Sequence, residues 1–407
     1  MERGVIVIGG GQAAARAAKA MRVAGYVGPI TILSEEAHLP YERPALSKAM
    51  LLQPGAEAPQ VLAEPDYATS AITLRTRCRA EAIDRTRHEV ALCGGERLPY
   101  DRLLIATGSR NRPLTIDGMA AEQIFSLRTL DDGRRLARAL KDRPALTVVG
   151  GGFIGLEVAA SAAKLGCRVA VIEAADRLLP RLGSPEASAF VLDHHSRCGI
   201  DVRLGVRVVS GEGGRVRLSD GGDTAAEVVV AGVGVAPDTA LADAAGLDCQ
   251  DGILVDAFCR TSDPDIFAAG DVTRHYNPLL GRSLRLESWQ NANAQADAAG
   301  RTIAGFPTPS AEIPWLWSDQ GDLNLQAAGA PSSVERTVLR GDPSGGDGLT
   351  IFQLDGDRLV GGVTLNRGKE MPMIRRLLAQ PELQLDPDHL ADSAMPLRRL
   401  LPTREAA

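Results

Sequence analysis

Two glycine clusters, Gly9-x-Gly11-x-x-Ala14 and Gly150-x-Gly152-x-x-Gly155, are the residues of this sequence best suited to handling a phosphate. In such a cluster the first glycine permits a tight turn from strand to helix, and the second lets a pyrophosphate approach bare backbone. The third position must be small so that helix and strand pack closely. The phosphates then meet free N–H groups at the positive end of the helix. An acid follows each cluster, Glu35 at 26 and Glu173 at 23 residues past the first glycine, suited to accept hydrogen bonds from a ribose diol. Glu173 favours NADH over NADPH because a carboxylate repels a 2′-phosphate, although Arg177 and Arg181 follow closely enough to offset it. Glycine turns also join strands to helices for packing alone, so the elements around each cluster decide the reading.

Those elements repeat. From Val5, VIVIGGGQAAARAAKAMRVAGYVGPITILSEE reads as strand, glycine turn, alanine-rich helix and second strand; from Leu146, LTVVGGGFIGLEVAASAAKLGCRVAVIEAAD has the same order. Tyr100–Ser109 and Asp265–Asp271 each read as a buried strand running into a small polar turn, the end at which open α/β sheets bind ligands. The simplest assembly is an α/β protein with two Rossmann-like nucleotide-binding domains, the second nested in the first, and a small C-terminal α+β domain. The first takes 1–110 and 238–312, the second 111–237, and the last 313–407. In the last, strands are expected at Leu349–Leu354 and Leu359–Thr364 around an Asp355-Gly356 turn, with a helix around Met373–Ala379.

Composition sets the outer limits. At 407 residues, 44% apolar and 24% charged, the chain reads as a multidomain globular protein rather than a disordered one. A net charge of −6 gives no reason to expect nucleic acid or an anionic membrane as the main partner. Forty of the basic residues are arginine and only 5 are lysine, so each lysine draws scrutiny. Cysteines 78, 93, 167, 198, 249 and 259 include no CxxC pair and no metal-like spacing with histidine, which predicts buried thiols and no metal. The strand at Val5–Ile8 leaves no room for a signal peptide, and no apolar run reaches the ~18 residues of a membrane span. A cytoplasmic protein is expected.

Several strings resemble the FAD-dependent pyridine-nucleotide reductases, and among them the NADH:ferredoxin reductases. They are Pro40–Lys48 (PYERPALSK), Leu127–Asp132 (LRTLDD), Gly150–Glu157 (GGGFIGLE), Ala269–Arg274 (AGDVTR), Glu287–Ala292 (ESWQNA) and Pro314–Gln320 (PWLWSDQ). The likeness runs essentially from end to end. The final domain, with Asp319-Gln320-Gly321 and Ile374–Leu378 (IRRLL), is most similar to the reductase components of biphenyl- and toluene-type aromatic dioxygenases. Ferredoxin reductases of cytochrome P450 systems come next. The resemblance implies glutathione-reductase-type nucleotide domains, with FAD at the Gly9 turn and NADH, as substrate, at the Gly150 turn. FAD contacts are implied for Gly9, Gly11, Gln12, Ala13, Glu35, Arg43, Lys48, Ala80 (through its backbone), Thr107, Gly108, Arg128, Gly270, Asp271, Ser288, Trp289 and Trp317. NAD contacts are implied for Gly150, Gly152, Ile154, Gly155, Glu157, Glu173, Arg181 and Gly234. Ala14 stands where many members of the family have glycine, a tolerated small residue.

In that family Lys48 and Glu157 would form an ion pair beside flavin N5, under the nicotinamide. A positive charge there favours an electron-rich flavin, and Glu157 would orient the lysine. Plainer readings stay open: an acid in a helix's first turn is favoured by the macrodipole alone, and a lysine is commonly a solvated surface residue. The Glu287–Ala292 string opens an alanine-rich helix whose N-terminus would face the flavin pyrimidine edge. Trp289 and Trp317 would wall the ring, although core packing is the commoner role of tryptophan.

The disulfide-reducing branch of the family needs a CxxxxC pair after the first glycine cluster, and the peroxidase and oxidase branch needs one redox cysteine there. Glu35–Leu52 has none. Electrons therefore leave the flavin for an external acceptor, expected to be a [2Fe-2S] ferredoxin feeding an oxygenase, with a Rieske-type aromatic dioxygenase favoured. Such ferredoxins are usually acidic, which makes Arg301, Arg375-Arg376 and Arg398-Arg399 docking candidates, though acids are mixed among them as on any solvated surface. Rubredoxin reductase is a second enzyme reading. A redox-responsive interaction protein resembling apoptosis-inducing factor is a third, but its long insertions or basic last domain have no counterpart here. Monomer and homodimer are equally compatible with the sequence.

Overall fold

The computed structural model describes residues 3–53, 55–343 and 348–402. They form two compact units. The first comprises the chain up to Ala45, Glu57–Asn111 and Val235–Glu312; the second comprises Leu46–Ala56, Arg112–Gly234 and the chain from Ile313.

At the centre of the first unit is a five-stranded parallel sheet in the order Ile266–Ala268, Arg102–Ile105, Val5–Ile8, Ile30–Leu33, Ile72–Arg75. Val5–Ile8 is buried along its whole length because a central parallel strand is covered on both faces, which is why it reads as four apolar residues in a row. The alanine run in the helix Gln12–Val23 serves close packing. Ala14, Ala15, Ala17 and Ala18 are fully buried, and a Cβ at Gly300 in the helix Trp289–Ile303 would lie 2.6 Å from the Ala17 carbonyl oxygen. The two helices thus meet nearly backbone to backbone. A three-stranded antiparallel sheet (Ala80–Asp84, Glu89–Leu92, Arg97–Pro99) belongs to the same unit.

The second unit repeats the parallel design with the order Asp201–Leu204, Arg168–Glu173, Ala145–Val149, Val228–Ala231, Ile124–Phe125. Its final part is a five-stranded antiparallel sheet in the order Trp315–Gln320, Leu323–Gly329, Arg358–Leu365, Leu349–Asp355, Arg336–Gly341. The strands and helix expected there from sequence occur as Leu349–Asp355, Arg358–Leu365 and Met371–Leu378. Leu146, Val148 and Val171 of the parallel sheet share one apolar core with Leu323, Leu325, Ile351 and Val363 of the antiparallel sheet. The segment from Ile313 thus shares one core with Arg112–Gly234 and packs a second of its own, around Phe352, Leu354, Ile374 and Leu390. Leu51 joins the same core with Leu136 and Leu140, which draws Leu46–Ala56 into this unit although its flanks belong to the other. Among the described residues no helix is long and apolar enough to cross a membrane.

Candidate active site

In the first unit the implied FAD residues gather where parallel strands end. Gly9 follows Val5–Ile8 with φ +127°, and a Cβ there would stand 2.2 Å from the Ala106 carbonyl oxygen, so only glycine makes the turn. The helix Gln12–Val23 begins at Gly11 with no capping side chain, and a Cβ at Gly11 would point into open space. Gln12 donates to Asn293 at 2.9 Å, tying the turn to the helix that Ser288 caps and Trp289 opens. Gly270, at φ +86° past Ile266–Ala268, presses toward Ala13, and its N–H donates to the Gln295 side chain at 2.7 Å. Thr107 and Gly108 anchor Asp238, by the Thr107 hydroxyl to its carbonyl at 2.8 Å and by its N–H to the Gly108 carbonyl at 2.9 Å. Asp271 accepts from the Ser109 hydroxyl at 3.2 Å. Arg43 holds Glu36 at 2.7 Å; burial works to lower its guanidinium, but Tyr41, Glu36 and Asp271 outweigh that and raise it. Glu35 is exposed at the end of Ile30–Leu33, 3.9 Å from Arg79, and Ala80 is buried.

The second unit carries the same turn. Gly150 has φ +112°, and a Cβ at Gly155 would lie 2.3 Å from the Gly150 carbonyl oxygen, which makes the third small position a steric requirement. The helix Phe153–Lys164 again starts without a side-chain cap, and Gly152 faces open space. By contrast Thr129, Ser184, Ser288 and Asp386 cap their helices. Two uncapped helix starts, each behind a glycine that leaves room for one more group, fit a dinucleotide phosphate at each turn. Ile154 is exposed there, and Gly234, at φ +89°, also faces open space. Glu173 already accepts from the N–H groups of Gly151 at 2.6 Å and Ala175 at 2.7 Å, so it braces the turn as well as offering its remaining lone pairs to a ribose. Arg181 lies on the short helix Pro180–Leu182, and the Arg128 N–H meets the Asp132 carboxylate at 3.1 Å beside the Thr129 capping box.

Glu157 is the most unusual charge in this unit. It sits in the second turn of its helix, not the first as the macrodipole reading required, and it is only 3% exposed. Lys48, itself 22% exposed, approaches Glu157 Oε2 at 2.7 Å. The Ser47 hydroxyl donates to the same oxygen, and the Ser318 hydroxyl donates to Oε1 at 2.7 Å. Ser161, one turn along the helix, donates to the Ser47 carbonyl at 2.7 Å and fixes the segment that brings Ser47 and Lys48 in. Three donors thus converge on one buried carboxylate, whose desolvation their hydrogen bonds offset. Neither plain reading fits this pair: Lys48 is not a solvated lysine, and Glu157 is too far along its helix to be a dipole partner.

Residues 3–296 match the pyridine nucleotide-disulphide oxidoreductase family model, and residues 315–401 match the reductase C-terminal family. The chain belongs to the pyridine nucleotide-disulphide oxidoreductases. Across 97% of its length it is 43% identical to the ferredoxin–NAD(+) reductase component of the anthranilate 1,2-dioxygenase system of Burkholderia cepacia, covering 98% of that protein. Its fold is similar to that of the reductase in a covalent putidaredoxin reductase–putidaredoxin complex (TM-score 0.93, 35% identity, 98% of each chain). It is also similar to the ferredoxin reductase for a cytochrome P450 system of Rhodopseudomonas palustris (TM-score 0.93, 36% identity, 98% of this chain and 99% of that one).

In this oxidoreductase the six cysteines are free, but only Cys167 and Cys259 are buried as expected. Cys93 lies on an exposed turn and Cys198 at an exposed helix end, and burial pushes the thiol of Cys259 up to about 12. His194, Cys198 and Asp322, which the sequence spacing did not single out, bring their side-chain atoms within 4.8 Å of one another, with His194 and Asp322 3.3 Å apart. Sequence reasoning missed Ser47, Ser318, Gln320 and His195 as parts of the Glu157 cluster, although all but His195 lie inside strings it quoted. It also missed Trp315, which stacks on Trp317 at 5.3 Å under the Arg375 guanidinium. Alternation along a strand was the available signal: Ser318 and Gln320 are fully buried where Trp317 and Asp319 are not. Of the docking candidates, Arg301, Arg376, Arg398 and Arg399 are exposed, while Arg375 is half-buried against Trp315.

Proposed function

We propose that this chain is an FAD-dependent NADH:ferredoxin reductase that passes electrons singly to a [2Fe-2S] ferredoxin of an aromatic-ring dioxygenase system. The ion pair of Lys48 with the buried Glu157 carries the reading, supported by the 43% identity to a dioxygenase-system reductase component. FAD, when bound at the Gly9 turn, supplies the chemistry: it accepts hydride from NADH and gives up electrons one at a time. FAD belongs to 1–110 and 238–312 and NADH to 111–237, while Ser318 of 313–407 supports Glu157. Gly11 and Gly152 leave room for the two pyrophosphates, which meet the uncapped N–H groups behind them. Lys48 offers a fixed positive charge that Glu157 orients, and Glu157 is itself held by its serine donors. The N-terminus of the helix Trp289–Ile303 would favour negative charge on FAD when it is bound.

Lys48→Met should slow flavin reduction by NADH in anaerobic stopped-flow; an unchanged rate refutes the role of the pair. The acceptor is tested by reducing the enzyme with NADH and titrating it with purified [2Fe-2S] ferredoxin and with rubredoxin side by side. Preferential oxidation by rubredoxin overturns the ferredoxin reading. A ferredoxin of a cytochrome P450 system is the second reading, favoured by the likeness to the Rhodopseudomonas palustris reductase.

A further inference from the structure

Glu157 is the end of a longer polar chain. Ser318 Oγ lies 2.7 Å from Glu157 Oε1, Gln320 Nε2 lies 3.2 Å from Ser318 Oγ, and His195 Nε2 lies 2.7 Å from Gln320 Oε1. His195 and Gln320 have no exposed surface, and neither does Ser318. The direction of each bond follows from the carboxylate, which only accepts. Ser318 must therefore spend its proton on Glu157, and its own lone pair is left for a donor. Gln320 meets that need only with its NH2 toward Ser318, which turns its carbonyl to His195. His195 must then carry its proton on Nε2. Its Nδ1 has no partner, as a bare lone pair would in that tautomer, and burial pushes the ring's pKa down so that it stays neutral.

With the amide flipped, Gln320 would offer its carbonyl to Ser318. The serine proton would then have two competing acceptors, and Glu157 Oε1 would share its Ser318 donor with the amide. We propose that Ser318, Gln320 and His195 are positioning residues, a one-way hydrogen-bond chain in which His195 sets the amide, the amide sets the serine, and the serine holds Glu157 turned toward Lys48. The chain crosses three elements, the helices Phe153–Lys164 and Pro185–Arg197 and the strand Trp315–Gln320. The strand that carries Trp317 on one side thereby carries the supports of Glu157 on the other.

The proposal rests on the Lys48–Glu157 reading, and the test separates the two. In the FAD-loaded enzyme, Ser318→Ala, Gln320→Leu and His195→Leu should each lower the limiting rate of flavin reduction by about tenfold. That is the worth of one charge-assisted hydrogen bond of about 1.4 kcal/mol. The NADH concentration for half-maximal rate should move less than about threefold. His195→Gln keeps an N–H for the Gln320 carbonyl and should recover most of the rate; a His195→Gln as slow as His195→Leu refutes the chain. A readout free of turnover comes from 15N-histidine spectra of the wild-type protein. His195, identified by the signal lost in His195→Gln, should be the Nε2–H tautomer, and an Nδ1–H tautomer overturns the proposal even if His195→Leu does not fold. If Lys48→Met and Glu157→Gln reduce at the normal rate, both readings fall. If those two are slow while Ser318→Ala and His195→Leu are fast, the positioning role alone falls.

Discussion

Gly152→Ala separates folding from cofactor binding. Gly152 precedes the helix Phe153–Lys164 with φ −83° and ψ 176°, an extended backbone that alanine adopts without strain. A Cβ there would meet nothing within 4 Å. The change should leave folding untouched or stabilise it by up to about 1 kcal/mol, because alanine reduces the freedom of the unfolded chain. The same methyl fills the space in which a pyrophosphate would reach the uncapped N–H groups. Losing one charge-assisted hydrogen bond, at roughly 1.5–3 kcal/mol, should weaken NADH binding by about one to two orders of magnitude. Gly155→Ala is the contrast: its Cβ would stand 2.3 Å from the Gly150 carbonyl oxygen, a backbone atom that cannot give way without shifting helix against strand. It should cost about 1–3 kcal/mol of stability. The assay pairs thermal unfolding with the NADH-concentration dependence of flavin reduction. An undiminished NADH affinity in Gly152→Ala, or a melting temperature as low as that of Gly155→Ala, would show that the glycines serve packing alone.

Gln295→Leu should leave the Gly270 N–H buried without its acceptor, lowering stability by roughly 1–3 kcal/mol and loosening FAD; an unchanged melting temperature speaks against it. Acid should weaken the fold through His275, buried with its pKa pushed down to about 4 from 6.5. The unfolded chain takes up this proton first, so the stability it contributes is complete above about pH 6.5 and is lost as pH falls toward 4. The loss approaches about 3 kcal/mol and is flat below. His275→Gln should flatten that limb of the melting profile, and a slope identical to wild type rules the group out. Ferredoxin reduction should slow with rising salt if Arg301, Arg376, Arg398 or Arg399 steers an acidic partner, and a salt-independent rate removes electrostatic docking.

The two phosphate turns were legible in the sequence because they are local. Strand, glycines, helix and the acid at the next strand's tip lie within about 30 consecutive residues, a span whose geometry neighbouring dihedrals and packing largely dictate. Lys48 and Glu157 were found only through resemblance, since single charges inside apolar runs have no periodicity to betray a partner. Nor did the sequence reveal that residues from Ile313 onward share a core with Arg112–Gly234, because apolar strands do not advertise which sheet they face. The segment Leu46–Ala56 belongs by chain position with its flanks, yet Leu51 buries itself beside Leu136 and Leu140 and carries Lys48 with it.

By itself, then, the sequence determined the two nucleotide turns, their order along the chain and the absence of a thiol relay between Glu35 and Leu52. Tertiary structure decided what makes Glu157 a hydrogen-bonded, oriented group rather than a costly buried acid. Ser47, Ser318, Gln320 and His195 reach it, directly or through one another, from separate segments. Folding alone brings such donors together, because a buried carboxylate is stable only where the packed chain supplies the hydrogen bonds that water would have made.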